Sequence, residues 1–223
     1  MNAARRVLVC DDEPQILRAL RVVLRDAGFE AILAETAEEA LDRASIRPPD
    51  AAIIDLVLPD GDGVEVTRRL REWSEMPIIV LSAIGDEAEK VRALEAGADD
   101  YVTKPFGPRE LVARLEAALR RAGRPVDEPT VRADDLEVDL AARVVRVDGE
   151  EVHLTPIEFD LLRTLARHRG RLLTHRALLV EVWGPEYAND TAVLRTHIAN
   201  LRRKIGPRHV RTDPGVGYRF TES

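Results

Sequence analysis

Sulfur is scarce in this chain: its 223 residues include one cysteine and two methionines. A lone Cys10 cannot close an internal disulfide, and its place in the first predicted strand marks it as a buried structural thiol rather than a redox centre. Long apolar runs are missing too. No stretch reaches the roughly 20 residues that a membrane-spanning helix needs, and the N-terminus lacks the apolar core of a signal peptide. These absences argue against a disulfide-stapled fold and a membrane protein, and the expected location is cytoplasmic. What is present is ordinary for a globular protein, 45% hydrophobic and 33% charged. The length suffices for two domains with separate cores.

Charge is unevenly placed. Residues 1–123 hold 17 basic and 24 acidic side chains, residues 124–223 hold 16 of each, and all five histidines lie in the second part. Within it, residues 160–211 carry 11 basic and 4 acidic side chains. A basic stripe on an acidic protein points to a local anionic partner, with nucleic acid first among the candidates.

The first part is organised around residues 51–63. An apolar run there ends in Asp55 and is followed by Pro59, Gly61 and Gly63, which reads as a buried strand that delivers a carboxylate to a loop. Three other segments end alike: residues 7–12 bring Asp11 and Asp12, residues 77–82 bring Ser82, and residues 101–105 bring Lys104. Strands near residues 7–10, 31–33, 51–55, 78–81 and 100–102 alternate with helices near 14–27, 37–45, 63–72, 86–96 and 108–121. That (βα)5 pattern predicts a parallel α/β sheet covered on both faces, with its site at the strand ends.

Periodicity then stops, and residues 122–131 read as a linker between a domain of residues 1–121 and one of 132–223. The second domain opens with a predicted antiparallel meander near 136–154, turned by Asp148-Gly149. Thr155-Pro-Ile-Glu158 predicts a capping box and a helix start. Further helices are expected near 175–182 and 190–204, and a hairpin near 209–220.

Asp11, Asp12 and Asp55 repel one another unless a cation neutralises them. Oxygen ligands and an open position favour Mg2+ over zinc, and a carboxylate beside Mg2+ and a lysine is able to attack a phosphoryl group. In the third helix of the second domain, Leu194, Ile198, Leu201 and Ile205 form one buried stripe. Arg195, Thr196, Ala199, Asn200 and Arg203 are then expected to face out, flanked by His197 and Arg202. Arg and Asn make bidentate contacts to base edges, and a helix fits the major groove.

These motifs carry a resemblance. Residues 6–121 resemble the flavodoxin-like receiver domain of two-component response regulators, and residues 132–221 resemble the winged helix-turn-helix effector domain of the OmpR/PhoB family. The resemblance implies phosphorylation of Asp55 by a sensor histidine kinase. It implies Mg2+ held by Asp12, Asp55 and the Val57 carbonyl with help from Asp11, a switch through Ser82 and Tyr101, and a cis peptide at Lys104-Pro105. Lys90, Asp99, Asp100, Glu110, Arg114 and Arg121 match charged positions that pair receivers into a two-fold dimer. Their opposite signs allow Lys90–Glu110, Asp100–Arg114 and Asp99–Arg121 bridges between the two-fold related chains.

On the effector side the resemblance implies a DNA-contact set of Arg195, Thr196, His197, Asn200, Arg202, Arg203, Lys204 and Arg211, with RNA polymerase contacts near residues 185–189. Within the family, residues 58–63, 139–144, 152–159 and 182–185, together with Trp73-Ser74, look most like regulators of the Kdp potassium-transport operon. Pro214 stands at the wing tip where some relatives carry arginine, and the connection through residues 206–209 is short. The chain is thus expected to be a phosphorylation-gated DNA-binding regulator and not an enzyme. An aspartyl-phosphate hydrolase needs an acid two residues past its nucleophile, where this chain has Val57. A receiver joined to a protein- or RNA-binding module is the other alternative, separable by salt-dependent gel shifts on duplex DNA against RNA.

Overall fold

The computed structural model describes residues 4–83, 87–122 and 130–221, without the side chains of residues 87, 121 and 122. It divides into two compact units after Ala122; residues 123–129 of the expected linker lie outside the described residues.

The first unit alternates strand and helix. Strands β1 (Arg6–Cys10), β2 (Glu30–Ala34) and β3 (Ala51–Asp55) are separated by helices α1 (Pro14–Asp26) and α2 (Ala37–Ile46). A short hairpin, β4 (Val57–Leu58) and β5 (Gly61–Asp62), leads into α3 (Gly63–Arg71). Then come β6 (Ile78–Ser82), α4 (Glu87–Glu95), β7 (Asp100–Thr103) and α5 (Pro108–Ala122). The main sheet runs β2-β1-β3-β6-β7, all parallel. Every residue of β3 and β6 is buried, as their uninterrupted apolar runs require of strands covered on both faces. On one face Leu17, Leu20 and Leu24 of α1 join Leu111, Leu115 and Leu119 of α5 over Val7, Val9, Ile53, Leu81 and Val102. Cys10 is fully buried, and burial with nearby acids pushes its thiol pKa up to about 12, which leaves it unreactive.

Two features of this unit escape the periodicity. The β4–β5 hairpin falls where the turn residues predict only a loop. Its exit needs a glycine, because a Cβ on Gly63 would lie 2.0 Å from the Asp55 carbonyl oxygen. The second is Arg71, which is 9% exposed and donates to Asp99 Oδ2 at 2.5 Å, the Gly97 carbonyl at 2.8 Å and the Met76 carbonyl at 2.5 Å.

The second unit opens with an antiparallel sheet of order β11-β10-β9-β8, made of β8 (Val131–Ala133), β9 (Leu136–Asp139), β10 (Val144–Val147) and β11 (Glu150–Glu151). Asp148 and Gly149 take the positive φ values, 52° and 84°, that a tight two-residue hairpin demands. Helix α6 (Pro156–Arg167) starts at the predicted capping box, with both reciprocal Thr155–Glu158 bonds formed. Strand β12 (Leu172–Thr174), helix α7 (His175–Val182), helix α8 (Thr191–Ile205) and strands β13 (Val210–Asp213) and β14 (Gly217–Phe220) complete it. Strand β12 pairs with β14, making a three-stranded wing where the sequence predicts only a hairpin. Burial pushes Asp135 up, but Arg208 and His209 beside it bring its carboxyl below the usual range, which ties the β8–β9 turn to the short connection after α8.

Candidate functional site

Register brings the chemistry together. Cys10 lies level with Ile54, Asp55 with Leu81, and Ser82 with Thr103, so Asp11, Asp55, Ser82 and Lys104 emerge at the same sheet edge. The chain passes to opposite sides of β1 through β2 and β3, and the crevice of such a switch point is where ligands bind in open parallel sheets.

Lys104 Nζ lies 2.7 Å from Asp11 Oδ2, 2.8 Å from Asp55 Oδ2 and 3.6 Å from Glu13 Oε1. Asp11 is fully buried, Asp55 is 7% exposed, and Asp12 is open to solvent. One carboxylate oxygen from each of these three acids falls within 4.8 Å of the others. Burial raises the pKa of Asp55, and Lys104 opposes this without cancelling it. Burial also works against the Lys104 ammonium, but Asp11 and Asp55 outweigh it and its pKa is raised. One ammonium shared by two buried carboxylates leaves negative charge uncompensated. Hard oxygen donors with one solvent-facing member suit a divalent cation that keeps open positions.

Ser82 Oγ is 1% exposed as a residue and has no hydrogen-bond partner among the described residues. A buried hydroxyl left in that state suits an acceptor that arrives from outside. Tyr101 is half-buried, and the Lys90 ammonium sits 4.9 Å from its ring centroid. Lys104-Pro105 is cis.

Several of the charged positions on α4, β7 and α5 have partners within their own chain. Asp99 is 2% exposed and is held within its own chain by Arg71 and by the Ile78 N–H at 2.7 Å. Asp100 and Glu110 both bond Arg114 of their own chain, each at 3.1 Å. Lys90 is 7% exposed, and the side chain of Arg121 lies outside the described residues.

The basic helix is also only partly as expected. Helix α8 packs against both α6 and α7, so its buried arc is wider than one stripe. Asn200 at 3% and His197 at 1% exposure belong to that arc, His197 with its ring 5.5 Å from Trp183; neither faces a groove. The Lys204 ammonium is engaged within the chain, bonding Glu158 at 2.7 Å at the start of α6. Arg202 turns to the wing, where Nε donates to the Val210 carbonyl at 2.8 Å and an Nη donates to Thr212 Oγ1 at 2.7 Å, over the Tyr218 ring. What remains outward is Arg195, Thr196, Ala199 and Arg203 on α8, with Arg211 on β13.

Arg202→Ala is therefore expected to lower the stability of the second unit by about 1.5–3 kcal/mol, the range for hydrogen bonds to a charged group. Urea unfolding of the full chain checks this; an unchanged transition with weaker DNA binding would restore Arg202 to a direct contact role.

The chain matches two family models in tandem, "Response regulator receiver domain" over residues 7–116 and "Transcriptional regulatory protein, C terminal" over residues 149–220. It is 52% identical over 221 residues to the transcriptional regulatory protein KdpE of Mycobacterium tuberculosis, covering 96% of this chain and 98% of that one. It is 50% identical over 220 residues to the KDP operon transcriptional regulatory protein KdpE of Escherichia coli K12, with the same coverages, 96% and 98%. The crystal structure of response regulator DrrB, an OmpR/PhoB homologue from Thermotoga maritima, superposes with a TM-score of 0.54 at 32% identity, covering 98% of this chain and 99% of that one. Tandem models and relatives at half identity over nearly the full length agree with the site geometry: the chain belongs to the two-component response regulators of the OmpR/PhoB type, transcriptional regulators in which a receiver domain precedes a winged-helix domain.

Proposed function

We propose that this protein accepts a phosphoryl group on Asp55 from a sensor histidine kinase, pairs as a homodimer and binds double-stranded promoter DNA in the cytoplasm, in contact with RNA polymerase. Likeness to the KdpE relatives extends the proposal to control of a potassium-transport operon. The observation that carries it is the shared ammonium: Lys104 touches both Asp11 and Asp55 while three acid oxygens converge beside it.

In this reading an Asp55 oxygen attacks phosphorus, the bond from phosphorus to the donor imidazole nitrogen breaks, and an acyl phosphate results. Asp11, Asp12, Asp55 and the Val57 carbonyl would hold Mg2+, which supplies charge neutralisation to the phosphoryl oxygens. Asp11 and Asp55 fix Lys104 so that its ammonium meets the arriving phosphoryl oxygens without reorganisation. Ser82 Oγ then has the acceptor it lacks, and Tyr101 follows as the hydroxyl moves. An apolar hollow of about 470 Å³ lined by Ile16, Leu20, Val23, Pro105 and Phe106 beside Lys104 offers the kinase a docking surface next to the acceptor.

No helix among the described residues is long and apolar enough to cross a membrane. On the DNA side, Arg195, Thr196, Ala199 and Arg203 form the face presented to the major groove, and Arg211 reaches the backbone beside it. Phosphorylation with a small phosphodonor and Mg2+ is expected to tighten binding to a duplex by about 10²-fold or more, the avidity available when two modules act together. That gain should fall steeply with salt. Lys104→Ala should accept phosphate yet show no such gain. Equal binding before and after phosphorylation, or preference for RNA over duplex DNA in the same gel shifts, would overturn the proposal.

A further inference from the structure

We infer that Arg92 on α4 is a positioning residue for the loop that carries Val57, so that α4 bears directly on the cation-binding geometry of the Asp55 site. This rests on the reading above that Val57 and the three acids hold Mg2+.

The loop is short and pinned at both ends. Val57 lies opposite Asp62, and Leu58 opposite Gly61, in the two-residue ladder of β4 and β5. Asp60 at the turn accepts the N–H groups of Ala37 at 2.8 Å and Glu38 at 3.0 Å, where unsatisfied donors begin α2. Asp62 Oδ1 caps α3 by accepting the Val64 N–H at 2.8 Å. Its other oxygen, Oδ2, accepts from Arg92 at 2.7 Å. The base of the hairpin closes on the residue next to Asp55, since Gly63 N donates to the Leu56 carbonyl at 3.0 Å.

Arg92 is therefore the one described side chain by which α4 grips this loop through an ion pair. Its other ion pair is within the helix, to Glu89 at 2.5 Å. Two residues earlier on the same helix, Lys90 reaches the Tyr101 ring. Helix α4 thus touches the acceptor loop through Arg92 and the switch aromatic on β7 through Lys90. Movement of α4 shifts Asp62, and Asp62 shifts the paired backbone of Val57. By reciprocity, a cation that draws in the Val57 carbonyl biases α4.

The sign of the effect makes the inference testable. Arg92 is a positive charge near a cation site, so plain electrostatics predicts that removing it tightens Mg2+ binding. A positioning role predicts the opposite. Titration calorimetry of MgCl2 into the full-length, unphosphorylated chain should show that Arg92→Gln weakens Mg2+ about threefold, the size an exposed ion pair supplies. Arg92→Lys should restore most of the affinity, and Glu89→Gln should leave it unchanged. Tighter or unaltered Mg2+ binding in Arg92→Gln, with wild-type binding intact, overturns the positioning role alone. If the wild-type chain takes up no Mg2+, the cation reading of the site fails and this inference fails with it.

Discussion

Asp55→Asn abolishes phosphorylation by any phosphodonor and leaves the chain folded; that is the largest functional effect expected of a single substitution here. The amide is nearly isosteric but has no anionic oxygen to attack phosphorus, so no acyl phosphate forms. Folding should survive for a reason visible in the site. Burial raises the pKa of Asp55, which means that the ionised carboxylate is disfavoured in the folded state relative to the unfolded one. A raised carboxyl pKa contributes stability at low pH that is lost as pH rises through the folded value. At neutral pH the wild-type side chain is thus a cost that asparagine removes, set against the loss of one partner for Lys104, which keeps Asp11. Phosphate labelling and a urea titration on the same preparation check both halves. Stoichiometric label on the mutant would dismiss Asp55 as the acceptor. A collapsed unfolding midpoint would show that the Lys104 bridge holds the fold as well as the phosphoryl group.

Arg71→Ala is expected to give the largest loss of stability, about 3–5 kcal/mol, because it strands a buried charge on Asp99. Domain stabilities are only about 5–15 kcal/mol, so much of the receiver population would unfold at modest denaturant. Its side chain is 7% exposed and that of Asp99 3%. The guanidinium also serves the Gly97, Ser74 and Met76 carbonyls, which would lose their donor at the same time. Arg71→Lys should fail to rescue, since a single ammonium cannot span the carboxylate and three carbonyls that the planar fork reaches. The transition of the second unit should be untouched in the same denaturant titration. A loss under about 1 kcal/mol in the receiver transition would mean that water or a neighbour satisfies Asp99, and that the pair is dispensable.

The parallel sheet was legible because its evidence is local and repeated. Val7 to Cys10, Ala51 to Ile54 and Ile78 to Leu81 are apolar runs with no alternation, and a strand buried on both faces has little other way to appear in a sequence. The convergence of Asp11, Asp55, Ser82 and Lys104 followed from one rule, that chemistry sits at the carboxyl ends of such strands. The capping box at Thr155 and Glu158 was equally local, since both partners lie within four residues.

What the chain alone determined, then, is every element whose cause lies in neighbouring residues: the five strands of the parallel sheet, the capped start of α6, the tight turn at Asp148 and Gly149, and the acids that end the strands. Tertiary structure decided the partners. Periodicity gives one buried stripe to α8, but packing against both α6 and α7 buries a second, and Asn200 and His197 went with it. Charge type marked Arg202, Lys204 and Asp99 as surface groups. Their carbonyl, carboxylate and guanidinium partners lie 8, 46 and 28 residues away in sequence, and no pattern along the chain records such a distance. A buried ion is retained only where its partner is within hydrogen-bond reach, and reach is a property of the folded molecule.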